Sequence, residues 1–124
     1  MPMSLRASFQ SLLIGCAAFA ASSAWTADPV PLTQEEAVLA FKGKKLSTNN
    51  ARFGAVALDF RDDGRLFGSN QGGMDSGQWK VEQGKLCLSW RNWDYKGCGL
   101  LQKRGELLEH LNPDGSLHFT VKAP

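Results

Sequence analysis

From residue 53 onward the chain alternates apolar and polar positions with a period of two, the mark of half-buried β-strands. Val56, Leu58 and Phe60 share one face of "FGAVALDF". Trp79 and Val81 share one face of "GQWKVE", and Leu86, Leu88 and Trp90 one face of "KLCLSW". "SLHFTVK" places Leu117, Phe119 and Val121 inward and His118 and Thr120 outward, while "ELLEHLN" presents Leu107 and Leu111 together. Turn-forming stretches separate these runs: "RDDGR", the glycine-rich loop "NQGGMDSG", "QG", "KRG" and "PDG". The last of these is a type I turn signal. With "RLFGS", "YKGCGLLQ" and a short strand near residues 45–48, the count reaches eight strands.

One segment follows a different period. "TQEEAVLAFKGKK" opens on Thr33 with Glu36 three residues later, the spacing of a capping box. Glu35 and Glu36 suit the positive end of a helix dipole. Lys42 supplies a cation to the last turn, and Gly43 is free to take the left-handed conformation that ends a helix. Ala37, Val38, Leu39 and Phe41 form its apolar face, and the basic run at 42–45 reads as a solvated helix end. The pattern therefore predicts a mainly β protein: a small antiparallel up-and-down barrel of about eight strands, lipocalin-like, with one short N-terminal helix at an end or against an edge. A twisted open sheet with the helix on one face is the alternative.

The first residues carry a different message. Arg6 precedes an unbroken apolar run from Leu12 to Ala21, and Ser22-Ser23-Ala24 offers small residues to a signal peptidase. This is the anatomy of a secretory signal peptide over residues 1–24. The apolar run is shorter than the roughly 20 residues a membrane-spanning helix needs. "LIGC" ending at Cys16 supports a rival reading as a lipobox, with the chain anchored by lipid at Cys16. The expected organisation is a signal peptide, an extended proline-containing segment over 25–32, and one domain over 33–124, located in the periplasm or secreted.

Export bears on the cysteines. Removal of residues 1–24 leaves Cys87 and Cys98, an even number in an oxidising compartment. If Asn92 and Trp93 form the centre of a hairpin loop, Trp90 opposes Tyr95 and Cys87 opposes Cys98. Directly opposed strand residues bring their Cβ atoms close to disulfide range. The spacing fits neither a C-x-x-C redox site nor a zinc site, for which four ligands are needed. A cross-strand disulfide follows, and no metal or cofactor is expected.

The run G-x-W-x-V-x-x-G-x-L-C-x-x-W is Gly77, Trp79, Val81, Gly84, Leu86, Cys87 and Trp90. Together with Cys98 and the upstream "DDGRLFG", it resembles a set of small exported proteobacterial proteins of unknown function. The resemblance covers most of residues 33–119 and implies compartment and a lipocalin-like architecture, without an activity.

Composition excludes more than it assigns. The formal net charge is +2, and Arg6 in the leader contributes one of those charges. No broad basic patch of the kind nucleic-acid binders carry is present. Ser89, His110 and Asp94 are the residue types of a hydrolase triad, yet no G-x-S-x-G elbow accompanies them. Asp59, Asp62, Asp63 and Asp75 sit in or near turns, where their side chains bond neighbouring backbone. His110 and His118 lie on neighbouring strands of one hairpin and read as exposed polar positions. The aromatic cluster of Trp79, Trp90, Trp93 and Tyr95 is the candidate binding surface. Trp79 and Trp90 point inward by parity, whereas Trp93 sits at a hairpin tip, either as a contact residue or packed on the helix. These features suggest a non-enzymatic binding protein for a small apolar molecule or an envelope partner. The alternative is a protease-type inhibitor acting through its extended N-terminal segment.

Overall fold

The computed structural model describes residues 28–123, so the signal peptide expected over residues 1–24, and Cys16 with it, lies outside the described residues. Strand β1 is Val30–Pro31 and helix α1 is Gln34–Phe41. Eight strands follow: β2 Lys44–Asn50, β3 Gly54–Phe60, β4 Arg65–Asn70, β5 Gly73–Glu82, β6 Lys85–Trp90, β7 Lys96–Arg104, β8 Leu107–Leu111 and β9 Leu117–Lys122. Each pairs antiparallel with its successor, and β9 returns to β2 through Asn49↔Thr120 and Asn50↔Phe119. The eight strands β2–β9 thus close into an up-and-down barrel, which removes the open sheet edges that invite aggregation. β1 lies alongside the far end of β7, with Val30 opposite Lys103. The last residues of the extended N-terminal segment are therefore part of the sheet.

A meander sorts its connections onto two ends. The β2–β3, β4–β5, β6–β7 and β8–β9 turns lie at one end. The β3–β4, β5–β6 and β7–β8 turns lie at the other, together with α1. The helix begins where the capping box predicts: Thr33 Oγ1 accepts from Glu36 N at 3.2 Å, and Glu36 Oε1 accepts from Thr33 N at 2.9 Å. Gln34 ties α1 to the β5–β6 turn, donating to Val81 O at 3.0 Å and accepting from Gly84 N at 2.8 Å. Phe41 packs on Phe60 with ring centroids 5.0 Å apart, and Phe60 meets the edge of Trp79 at 5.6 Å. Trp79 Nε1 donates to Arg61 O at 2.8 Å, so its polar edge is satisfied there. Phe41, Phe60 and Leu66 are fully buried, and each such side chain stabilises the fold by about 1.5–3 kcal/mol. This end is filled.

Several local expectations change in three dimensions. The buried face of α1 is Ala37, Ala40 and Phe41, while Leu39 is exposed, because positions i, i+3 and i+4 share one side of a helix and Leu39 falls on the opposite side. Lys42 caps the helix instead of occupying its last turn, and Lys44 and Lys45 already belong to β2. Most of "NQGGMDSG" is strand: β4 ends at Asn70 and β5 restarts at Gly73 across a tight turn. On β8 the buried pair is Leu108 and His110, not Leu107 and Leu111. Leu117 is partly exposed, while Phe119 and Val121 are buried as the alternation requires.

The disulfide joins Cys87 to Cys98 in the expected register, with Cα atoms 3.9 Å apart. It staples β6 to β7 next to the loop that carries the aromatic cluster.

Candidate functional site

The end opposite α1 contains a cavity of about 790 Å³. Its wall includes Val56, Leu58, Leu88, Trp90 and Phe119 from the strands, and Trp93, Tyr95 and His118 nearer the turns. Residues from all four turns of this end contribute to it, among them Arg52, Gly72, Asp94 and Pro113. Three of the four aromatic candidates therefore come together here. Trp79 does not; it belongs to the filled end, under α1.

Trp93 does not stand out from the hairpin tip or reach the helix. Its ring lies against Trp90 with centroids 4.6 Å apart. Two features pull it in. Gly68 leaves the space: a Cβ there would stand 2.6 Å from Trp90 Cη2 and 2.7 Å from Trp93 Cζ3. Asp75 holds the loop backbone, accepting from Asn92 N and Trp93 N, both at 2.8 Å, and from Asn92 Nδ2 at 3.2 Å. Asp75 is a buried strand residue opposite Gly68, not a turn residue. Burial by itself would raise its pKa, but the N–H donors of Trp93, Asn92 and Ser76 outweigh burial and hold the carboxyl below its usual value.

The pattern reads two histidines as exposed, but His118 lies in the cavity wall and His110 is buried behind it. His110 is fully buried, and His118 is partly buried. A β-bulge causes this. His110 opposes Phe119 and Leu111 opposes Leu117, so His118 is left over and turns inward. Its ring stacks on Tyr95 at 4.2 Å with 12° between planes. Gly99 makes the room: a Cβ there would be 2.8 Å from Tyr95 Oη and 2.9 Å from His110 Nε2. Alternation along β8 does mark His110 as sharing a face with Leu108, a signal that a choice of the other face concealed.

The hydrogen bonds fix where the protons sit. His110 Nε2 lies 3.0 Å from Leu86 O, a group that can only accept, so Nε2 carries the hydrogen. His110 Nδ1 then holds a lone pair, and His118 Nδ1, 3.0 Å away, must donate to it. Tyr95 Oη donates to Leu111 O at 3.2 Å. Burial lowers the His110 pKa to about 3, helped by the neighbouring His118 and opposed by the Leu86 bond. Burial also lowers His118 to about 4 and raises Tyr95 to about 12. All three rings are neutral at pH 7.

Comparisons with protein-family models, with curated proteins and with solved structures found no match. The chemistry of the site must be read from its own residues. Ser89 lies exposed on β6 while His110 is buried with both ring nitrogens engaged, so the three triad residue types do not form a relay. Among the described residues, the close group of potential metal ligands is Glu82, Cys87 and Cys98, and its two sulfurs are joined in the disulfide. No helix among the described residues is long and apolar enough to cross a membrane.

Proposed function

We propose that the protein is an exported, disulfide-stapled, non-catalytic binding protein that takes a small apolar molecule into the barrel mouth. The observation that carries this reading is the cavity of about 790 Å³ with Trp90, Trp93, Leu88 and Phe119 in its wall. Ligand sites typically enclose about 300–1,000 Å³ and combine an apolar lining with a few placed polar groups. The filled far end supports it too, because α1 and the Phe41–Phe60–Trp79 stack give the barrel one open end. The disulfide and the signal-like leader support export, since such bonds persist in oxidising compartments.

The test is titration of the purified, oxidised protein with a panel of apolar probes (alkylphenols, indoles, naphthalenes), followed by tryptophan fluorescence. Trp90 and Trp93 should report saturable binding, and Trp93→Ala should weaken it. Linear, unsaturable changes across the panel, together with an adduct-free native mass spectrum of protein taken from its own envelope fraction, would remove the reading.

A further inference from the structure

Three polar groups of the cavity wall, Thr48, Tyr95 and His118, share an unusual property: their protons are already committed to the protein. Thr48 is buried, and its hydroxyl donates to Val56 O at 2.8 Å. Tyr95 Oη donates to Leu111 O. His118 gives its Nδ1 hydrogen to His110, whose own hydrogen is held by Leu86 O. Thr48, Tyr95 and His118 all line the cavity. Each faces a ligand with lone pairs and no hydrogen to offer.

His118 Nε2 is the strongest of these acceptors. Among the described residues no protein atom bonds it, and it points away from the buried His110 because the other nitrogen of the same ring points toward it. The chain from Leu86 O through His110 prevents the ring from switching tautomer, since a hydrogen on His118 Nε2 would set two lone pairs against each other at 3.0 Å. The stack on Tyr95 prevents the ring from turning.

We propose that this cavity selects ligands that bring a hydrogen-bond donor, a hydroxyl or N–H group attached to a flat apolar body, with His118 Nε2 accepting that hydrogen. The inference rests on the binding function proposed above and names its ligand class. The apolar body lies against the Trp90–Trp93 pair, and the donor reaches His118. A carboxylate or phosphate directed at Thr48, Tyr95 and His118 meets lone pairs, whereas Arg52 and Lys96 elsewhere in the lining carry donors, so the selection concerns this part of the wall. A transition metal is a poor occupant as well, because one imidazole nitrogen supplies a single ligand where tetrahedral sites take about four.

The experiment uses matched pairs that differ only in the donor: a 4-alkylphenol with its methyl ether, and indole with N-methylindole. Calorimetric titration of the oxidised protein should give affinities about tenfold higher for the donor member of each pair, the effect of one buried hydrogen bond of about 1.4 kcal/mol. His118→Phe keeps a ring to stack on Tyr95 and removes the acceptor, so the ratio within each pair should fall to near one while the ethers still bind. Long-range proton–nitrogen NMR of the unaltered protein provides a readout independent of that variant's folding: the His118 Nε2 resonance should move with the phenol and stay with the ether. Equal affinities within both pairs, or an unmoved Nε2 resonance, would overturn the donor rule while leaving the binding function standing. No saturable binding by any of the four probes would overturn both.

Discussion

Acidification from pH 7 to pH 5 should weaken this fold through His110. The folded ring is fully buried, donates through Nε2 to Leu86 O and accepts through Nδ1 from His118, and its pKa lies at about 3. In the unfolded chain an ordinary histidine titrates near 6.5. Between these values the unfolded state binds a proton that the folded state refuses, so stability falls as pH falls. At pH 5 the unfolded histidine is almost wholly protonated and the folded one is not. The difference relative to pH 7 amounts to about 2 kcal/mol for His110 alone. His118, lowered to about 4, adds in the same direction, but it is partly exposed, so solvent screening reduces its share. The carboxylates titrate in a different window. Glu36, Asp63, Asp75 and Asp114 have lowered pKa values, so their stabilisation is present above the normal carboxylate range and is lost only as pH falls below about 5. Urea unfolding monitored by tryptophan emission, at half-unit steps from pH 7 to pH 5, isolates the histidines. The midpoint should drop by the equivalent of about 2 kcal/mol or more, a large part of a small domain's 5–15 kcal/mol. His110→Phe should be less stable at pH 7, because Leu86 O loses its donor, yet show a shallower slope. A midpoint that stays level across this range would mean that the pair is charged or solvated in the folded state, and the proton assignment at the site would be wrong.

Other substitutions probe the remaining supports. Asp75→Ala should cost about 1.5–3 kcal/mol in urea unfolding, since two loop N–H groups lose a charged acceptor, and should free Trp93, seen as a red shift in emission. Gly68→Val should drive the Trp90–Trp93 pair apart, costing about 1–3 kcal/mol and changing the near-ultraviolet circular dichroism of the indoles. Reduction of the Cys87–Cys98 bond should lower stability by about 3 kcal/mol, read as the unfolding midpoint with and without reductant. Thr33→Ala removes one side of the capping box and should cost about 1 kcal/mol.

Much of the architecture was legible in the linear pattern because antiparallel meanders are local. Each strand pairs with its neighbour in sequence, so alternation gives the faces and turn residues give the boundaries. The Cys87–Cys98 register follows from counting outward along one hairpin from Asn92 and Trp93, and the start of α1 follows from Thr33 and Glu36. These features depend on residues within about a dozen positions of each other. Barrel closure is different: it rests on β2 meeting β9, two strands separated by most of the domain.

The site shows the same division. Sequence by itself determined that an aromatic cluster flanks a stapled hairpin, and that Trp90 points inward. Only the tertiary structure decided that Trp93 folds over Gly68 onto Trp90, that Asp75 reaches across from β5 to hold it, and that Trp79 belongs to the opposite end. It alone turned His118 inward, because one extra residue in β9 breaks the alternation and cannot be seen without the partner strand. Period-two patterning encodes which face a residue takes only while the ladder is regular. Where a bulge or an inward glycine interrupts it, the side chain goes where distant elements leave space, and here that space is the cavity wall.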